Sequence, residues 1–128
     1  MSLYVPVGNI GFNEGPIYSE KFAYCSAVVL DFGKCGAFLA HCLPQLENPL
    51  SYDNGAVHSY NFLDWLKAEA EMKGLDIKTA RAFVNAGSSE FLEMILEKLE
   101  KEGIAIIEAN TEGAPESIKP TSCLTLEM

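Results

Sequence analysis

The chain has 128 residues and a formal net charge of −9, with 48% hydrophobic and 21% charged residues. This length and composition are typical of one globular domain, here residues 1–128, rather than of a disordered chain. The acidic balance argues against a nucleic-acid partner, because phosphate binding needs a basic face. No apolar run approaches the roughly 20 residues of a membrane-spanning helix, so membrane insertion is not expected.

The first third of the chain has the pattern of strands and turns. Alternating apolar residues predict a strand over residues 3–12, and Pro6 confines that strand to a sheet edge. Apolar runs over residues 22–30 and 36–40 predict two further strands. Turn-forming residues around Gly33 join these two runs, so we expect them to pair as an antiparallel hairpin.

The rest of the chain alternates between helical and extended patterns. The spacing of apolar residues predicts a first helix over residues 52–73 that ends at Gly74. A second helix is expected between Ser88, which is suited to cap its N-terminus, and Gly103, which ends it. The remaining strands are predicted over residues 80–84, 104–108 and 122–127.

This order of elements predicts an α+β fold. Two helices cannot cover both faces of a sheet with this many strands. We therefore expect a layered α/β/β sandwich of mixed and antiparallel strands, with the two helices on one face and strands packed on strands at the other.

Cys25 and His41 are the candidate reactive pair. If the hairpin turn centres on Gly33, the two residues face each other, with Cβ atoms roughly 4.5–5.5 Å apart. A neighbouring imidazole can lower the pKa of a thiol and hold it as the reactive thiolate. The spacing thus predicts a nucleophile and a base, provided that the register is right, since a shift of one residue places the two on opposite faces.

The cysteine pattern predicts reduced thiols rather than disulfides or a metal site. There is no CxxC pair and no secretory signal, which favours a cytoplasmic protein. A metal site could in principle draw on Cys35, His41 and Cys42. Because His41 and Cys42 are neighbours in a strand and point to opposite faces, no metal or other cofactor is expected. The four cysteines are Cys25, Cys35, Cys42 and Cys123.

The segments around Cys25 and His41 resemble the chemoreceptor deamidase family known as CheD, whose fold is shared with the catalytic domain of cytotoxic necrotizing factor toxins. The family has a cysteine that opens a strand, an Ala-His some sixteen or seventeen residues later, and then a Leu-Pro. Here Cys25 is followed by Ala40-His41 and Leu43-Pro44. A hydroxyl residue six positions before the cysteine completes the family's site, and Ser19 stands there.

The resemblance implies hydrolysis of a glutamine side-chain amide on a protein substrate. The family acts on glutamines in the cytoplasmic helices of bacterial chemoreceptors. By this resemblance Cys25 is the nucleophile, His41 transfers protons, and Ser19 orients the imidazole. The partner that the resemblance implies is a protein with glutamine-bearing helices, such as a chemoreceptor-like protein.

Two departures from the family pattern keep other functions open. Ala23-Tyr24 stands in place of a Gly-Ser before the cysteine, and Asn85-Ala86 stands in place of a double glycine. One alternative is a catalytically inactive CheD-like module that binds proteins. Another is a small-molecule binding domain that uses the pocket around Cys25 and His41.

Overall fold

The computed structural model describes residues 2–19, 24–44 and 56–111. In chain order its elements are β1 (Leu3–Tyr4), β2 (Ile10–Asn13), β3 (Ile17–Tyr18), β4 (Ser26–Asp31), β5 (Ala37–Cys42), α1 (Phe62–Met72), β6 (Arg81–Ala86), α2 (Ser89–Lys101) and β7 (Ala105–Thr111). Short 3-10 turns occur at Gly33–Cys35 and Ile77–Thr79.

The strands form a five-stranded sheet and a smaller two-stranded one. The larger sheet has the order β2-β5-β4-β6-β7 and is antiparallel except between β6 and β7, which run parallel. β1 and β3 pair in parallel to form the second sheet. β4 and β5 are buried along their whole length, because both faces of these strands are covered.

Two separate cores show the layers of the fold. On one face of the large sheet both helices contribute to the helix-side core, which includes Val28, Phe38, Leu66, Ile95 and Leu99. On the other face lies the strand-side core, which consists of Val5, Ile17, Val29, Ala37 and Leu39. The predicted α+β sandwich, with helices on one side and strands packed on strands, is confirmed.

α2 matches its sequence signals closely. The Ser88 hydroxyl accepts a hydrogen bond from the Phe91 N–H at 3.2 Å, so the predicted N-cap is present. Gly103 follows the helix with a φ of +75°, a left-handed conformation that glycine adopts without strain. Within the described residues, no helix is long and apolar enough to cross a membrane.

The strand predicted over residues 3–12 is in fact two strands, β1 and β2, which belong to different sheets. Pro6 has no N–H to donate, and its carbonyl accepts a hydrogen bond from the Asn9 N–H at 3.2 Å. Gly8 has a φ of +76° within this turn. The chain therefore crosses from one layer to the other here, and β3, which the pattern did not predict, pairs with β1.

The first helix was predicted to begin too early. α1 begins at Phe62, whereas residues 52–55 lie outside the described residues. Residues 56–58 are extended and a turn at 59–61 leads into the helix. The Val57 carbonyl accepts from the Leu43 N–H, and the Ser59 N–H donates to the Leu43 carbonyl, both at 2.9 Å. Pairing with a distant part of the chain thus overrides the helical spacing of these residues.

The strand predicted over residues 104–108 is present as β7. β7 runs to Thr111, beyond the predicted end at residue 108. The strand predicted over residues 122–127, which includes Cys123, lies outside the described residues.

The register of β4 against β5 differs from the predicted one by two residues. Ala27, not Cys25, faces His41. The 3-10 turn at Gly33–Cys35 lengthens the connection, so the chain does not reverse about Gly33 alone. A shift of two residues leaves every side chain on its predicted face, because successive strand residues alternate between faces.

Candidate functional site

Cys25 lies immediately before β4, the central strand of the large sheet. Its side chain is partly buried and packs against Ala27. The neighbouring Tyr24 is 69% exposed, so its bulky ring points into solvent rather than covering the cysteine. Burial raises the pKa of the Cys25 thiol above its ordinary value. The thiol therefore carries its proton in the resting protein at neutral pH, which differs from the thiolate expected from a lowered pKa.

His41 lies in β5 and is fully buried. Main-chain hydrogen bonds on both sides hold it, because its N–H donates to the Asn9 carbonyl at 3.0 Å and its carbonyl accepts from the Gly8 N–H at 2.9 Å. Desolvation lowers the pKa of His41 to about 4. The imidazole is therefore neutral at physiological pH, the state in which one ring nitrogen can accept a proton.

Ser19 follows β3 and contacts His41 from the second sheet. The distance from Ser19 Oγ to His41 Nδ1 is 2.8 Å, and both side chains are fully buried. The same hydroxyl donates its only hydrogen to the Val5 carbonyl. Ser19 must then accept the hydrogen bond from Nδ1–H, which assigns the neutral imidazole to the Nδ1–H tautomer and leaves the lone pair on Nε2.

The sheet places Cys25 and His41 on the same face. Ala27 directly faces His41, and directly opposed residues share a face. Cys25 precedes Ala27 by two positions and packs against it, on the side away from the helix-side core. The two residues are thus diagonal neighbours across Ala27 rather than the facing pair that the sequence predicted.

Asn85 completes a polar row on this face and was not among the predicted site residues. It faces Ala27 from β6, so Ala27 lies between Asn85 and His41. The resemblance drew attention to Asn85 only as a lost glycine. Its position in the row depends on the pairing of β4 with β6, a contact between distant parts of the sequence that no local pattern encodes.

The end of β6 supports the start of β4. Gly87 packs against the backbone of Tyr24 and Cys25, where a Cβ atom would not fit. The Gly87 N–H also donates to the Ser26 hydroxyl at 3.1 Å, and Ser26 is fully buried. The glycine that follows Asn85-Ala86 therefore fixes the backbone on which Cys25 sits.

The other described cysteines, Cys35 and Cys42, do not share this face with Cys25 and His41. Cys35 is exposed in the turn between β4 and β5. Cys42 belongs to the helix-side core, so it points away from its neighbour His41, as the sequence predicted. Burial raises the pKa of the Cys42 thiol strongly, and the Cys25 thiol raises it further.

The chain matches no family model, and a search of curated proteins finds none that is significantly similar to it. The geometry of Cys25, His41, Ser19 and Asn85 therefore carries the functional argument.

Proposed function

We propose that the chain is a CheD-like, cysteine-dependent protein glutamine deamidase, with Cys25 as nucleophile, His41 as general base and acid, and Ser19 as the residue that orients the imidazole. The contact between Ser19 and His41 carries this proposal. The hydroxyl gives its hydrogen to Val5 and so can only accept from Nδ1–H. This leaves Nε2 as the basic atom of an imidazole on the same face as a partly exposed thiol.

Both members of the pair are uncharged in the resting protein. Burial raises the pKa of Cys25 and lowers the pKa of His41 to about 4, so a thiolate–imidazolium pair is disfavoured before substrate binds. The proton would move from sulfur to Nε2 as the sulfur attacks, in general-base catalysis rather than by a preformed thiolate.

Each step of the proposed reaction balances. The Cys25 sulfur bonds to the carboxamide carbon of glutamine while His41 takes the thiol proton. The imidazolium then gives that proton to the amide nitrogen, the C–N bond breaks, and ammonia leaves a thioester. Water attacks the thioester as His41 accepts a proton from it, and the S–C bond breaks to give glutamate and the restored thiol. Backbone amides near Tyr24 and Cys25 would stabilise the oxyanion.

The resemblance to CheD supplies the substrate class in this proposal. Glutamine side chains on the cytoplasmic helices of a chemoreceptor-like protein would be the targets, which places the reaction in the bacterial cytoplasm. The net charge of −9 suits a helix with basic residues around the glutamine.

A catalytically inactive protein-binding module is the second candidate. Two observations favour it: burial raises rather than lowers the pKa of Cys25, and His41 is fully buried. A partly buried cysteine and a hydrogen-bonded buried histidine are also common structural residues.

Ammonia release from glutamine-bearing receptor-helix peptides separates the two. We expect the intact chain to release ammonia and convert glutamine to glutamate, as detected by mass spectrometry of the peptide. Cys25→Ser should abolish this conversion, while Cys35→Ser, which changes an exposed cysteine outside the row, should retain it. Absence of ammonia would support the binding module instead, whereas full activity in Cys25→Ser would show that Cys25 is not the nucleophile.

A further inference from the structure

Asn85 points into the same face of the sheet as the proposed catalytic pair. Its neighbours Val84 and Ala86 both belong to the helix-side core. Because strand residues alternate between faces, Asn85 must lie on the opposite face, where Ala27 and His41 stand in the same row.

The oxygen atom of the Asn85 carboxamide is buried and has no partner among the described residues. Its Oδ1 atom is shielded from solvent and has no hydrogen-bond partner among residues 2–19, 24–44 and 56–111. Asn85 as a whole is only partly buried, so the side chain is also reachable from outside. Buried polar atoms in proteins are nearly always paired, so a shielded oxygen beside an accessible face is suited to accept a donor from a ligand.

The residues beside Asn85 on this face are small or reactive. In this row Ala27 stands between Asn85 and His41, whose strands are both direct neighbours of β4. Neighbouring strands lie about 4.8 Å apart, so the backbones at Asn85 and His41, two strands apart, are separated by roughly 10 Å. Cys25 packs on the same alanine. Cys25 and Asn85 are diagonal neighbours beside Ala27 and both are partly exposed, so a carboxamide that reaches the thiol would lie close to Asn85.

The chemistry of Asn85 matches that of a primary amide. An asparagine side chain offers one acceptor oxygen and two donor hydrogens, and a glutamine side chain offers the same set. Two such groups pair through reciprocal N–H···O bonds. A carboxylate has only acceptors, so glutamate cannot satisfy the Asn85 oxygen.

We infer that Asn85 is the specificity-determining residue of this site: its carboxamide binds the primary amide of the substrate, and it releases the acid product because that product lacks an N–H donor. The inference rests on the proposed function for naming glutamine as the substrate side chain. It adds a residue of β6 that faces Ala27 from the side opposite His41.

Binding in the absence of turnover tests the inference. The Cys25→Ala chain is titrated with N-acetylglutamine methylamide and, separately, with its glutamate counterpart, and the side-chain amide resonances of Asn85 are followed by NMR. We expect the glutamine compound to shift these resonances and to bind more tightly, on the order of tenfold, than the glutamate compound. Asn85→Ala in the same background should remove that preference.

A matched control is available in the same row. Asn110 faces Asn85 from β7 but is exposed and donates its own hydrogen bond to Glu108 at 3.4 Å. Asn110→Ala should keep the preference for the glutamine compound. Asn85→Asp keeps the size of the side chain and an acceptor oxygen, and its negative charge repels glutamate, so this variant should also keep the preference for the glutamine compound, which a variant that fails to fold would lose.

The outcomes separate this inference from the proposed function. An Asn85-dependent preference in Cys25→Ala, with no ammonia release by the unmodified chain, would support Asn85 as an amide-binding residue and overturn the deamidase. Ammonia release with kcat/KM unchanged in Asn85→Ala would support the deamidase and overturn the role of Asn85. Resonances of Asn85 that move with neither compound would also overturn it.

Discussion

Gly87 lies directly against the carbonyl group of Tyr24. A Cβ atom added to Gly87 would stand 2.2 Å from the Tyr24 oxygen and 3.0 Å from the Cys25 oxygen. Both atoms are backbone, so they cannot move aside as a flexible side chain would. The end of β6 therefore sets the position of the backbone that carries the candidate nucleophile.

Gly87→Ala should displace the Tyr24–Cys25 backbone and change the reactivity of Cys25. We expect the free energy of unfolding to fall by roughly 1–3 kcal/mol, as for other overpacked sites. We also expect the rate of Cys25 alkylation, measured by peptide mass spectrometry, to change. Gly74→Ala is the control: its φ of +72° makes it strained, yet nothing lies within 4 Å of the added Cβ. An unchanged alkylation rate in Gly87→Ala would contradict this prediction.

Ser19→Ala should disturb the tautomer of His41. Without the hydroxyl, the buried Nδ1–H loses its acceptor, which costs about 1–3 kcal/mol of stability. The fraction of the Nε2–H tautomer should rise, and the ¹⁵N shifts of the two ring nitrogens report this directly. Ser59→Ala removes another buried hydroxyl, one that donates to the Leu43 carbonyl at 3.2 Å, and should leave the His41 shifts unchanged. Ring shifts that are the same in Ser19→Ala and the unmodified chain would exclude the orienting role.

Local signals predicted the parts of the fold that local forces determine. The N-cap at Ser88 and the apolar stripe that follows it are enough to identify α2, because both act within a few residues. The start of α1 could not be predicted in this way. Its preceding segment is held in an extended form by Leu43, which is remote in sequence.

The candidate site could be predicted only in part from the sequence, for the same reason. Alternation along the strands gave the shared face of Cys25 and His41, but the register depended on the 3-10 turn between β4 and β5, which the turn residues alone do not specify. The place of Ser19 came from the resemblance, since its contact requires the pairing of β1 with β3. Asn85 required the pairing of β4 with β6.

His41 should make the stability of the protein depend on pH between about 6.5 and 4. Its pKa is about 4 in the folded protein against 6.5 as the reference value, so the unfolded chain binds the proton first as the pH falls. Stability therefore rises with pH across this window, and acidification should remove up to roughly 3 kcal/mol, at about 1.4 kcal/mol per pKa unit.

Substitution of the histidine isolates this contribution from that of the carboxylates. Urea unfolding of the unmodified chain and of His41→Asn at several pH values between 7 and 4 gives the difference in the free energy of unfolding. As the pH falls, the free energy of unfolding of the unmodified chain should decrease more than that of His41→Asn. A difference that stays constant across the range would show that protonation of His41 is not coupled to folding.

The Cys25 thiol should keep its proton at neutral pH in the resting protein. Burial raises its pKa above the reference value of 9.0, so about one thiol in a hundred or fewer is ionised at pH 7. Its alkylation rate should rise about tenfold per pH unit below the midpoint, and the midpoint should not fall below 9.

Cys35, which is exposed, should be more accessible to the reagent, and Cys42, which is fully buried, should react only on unfolding. Peptide mass spectrometry resolves the three sites, and His41→Ala tests the origin of the midpoint. A midpoint well below 9 that rises in His41→Ala would instead indicate a preformed thiolate–imidazolium pair, and the proton would then leave sulfur before substrate arrives.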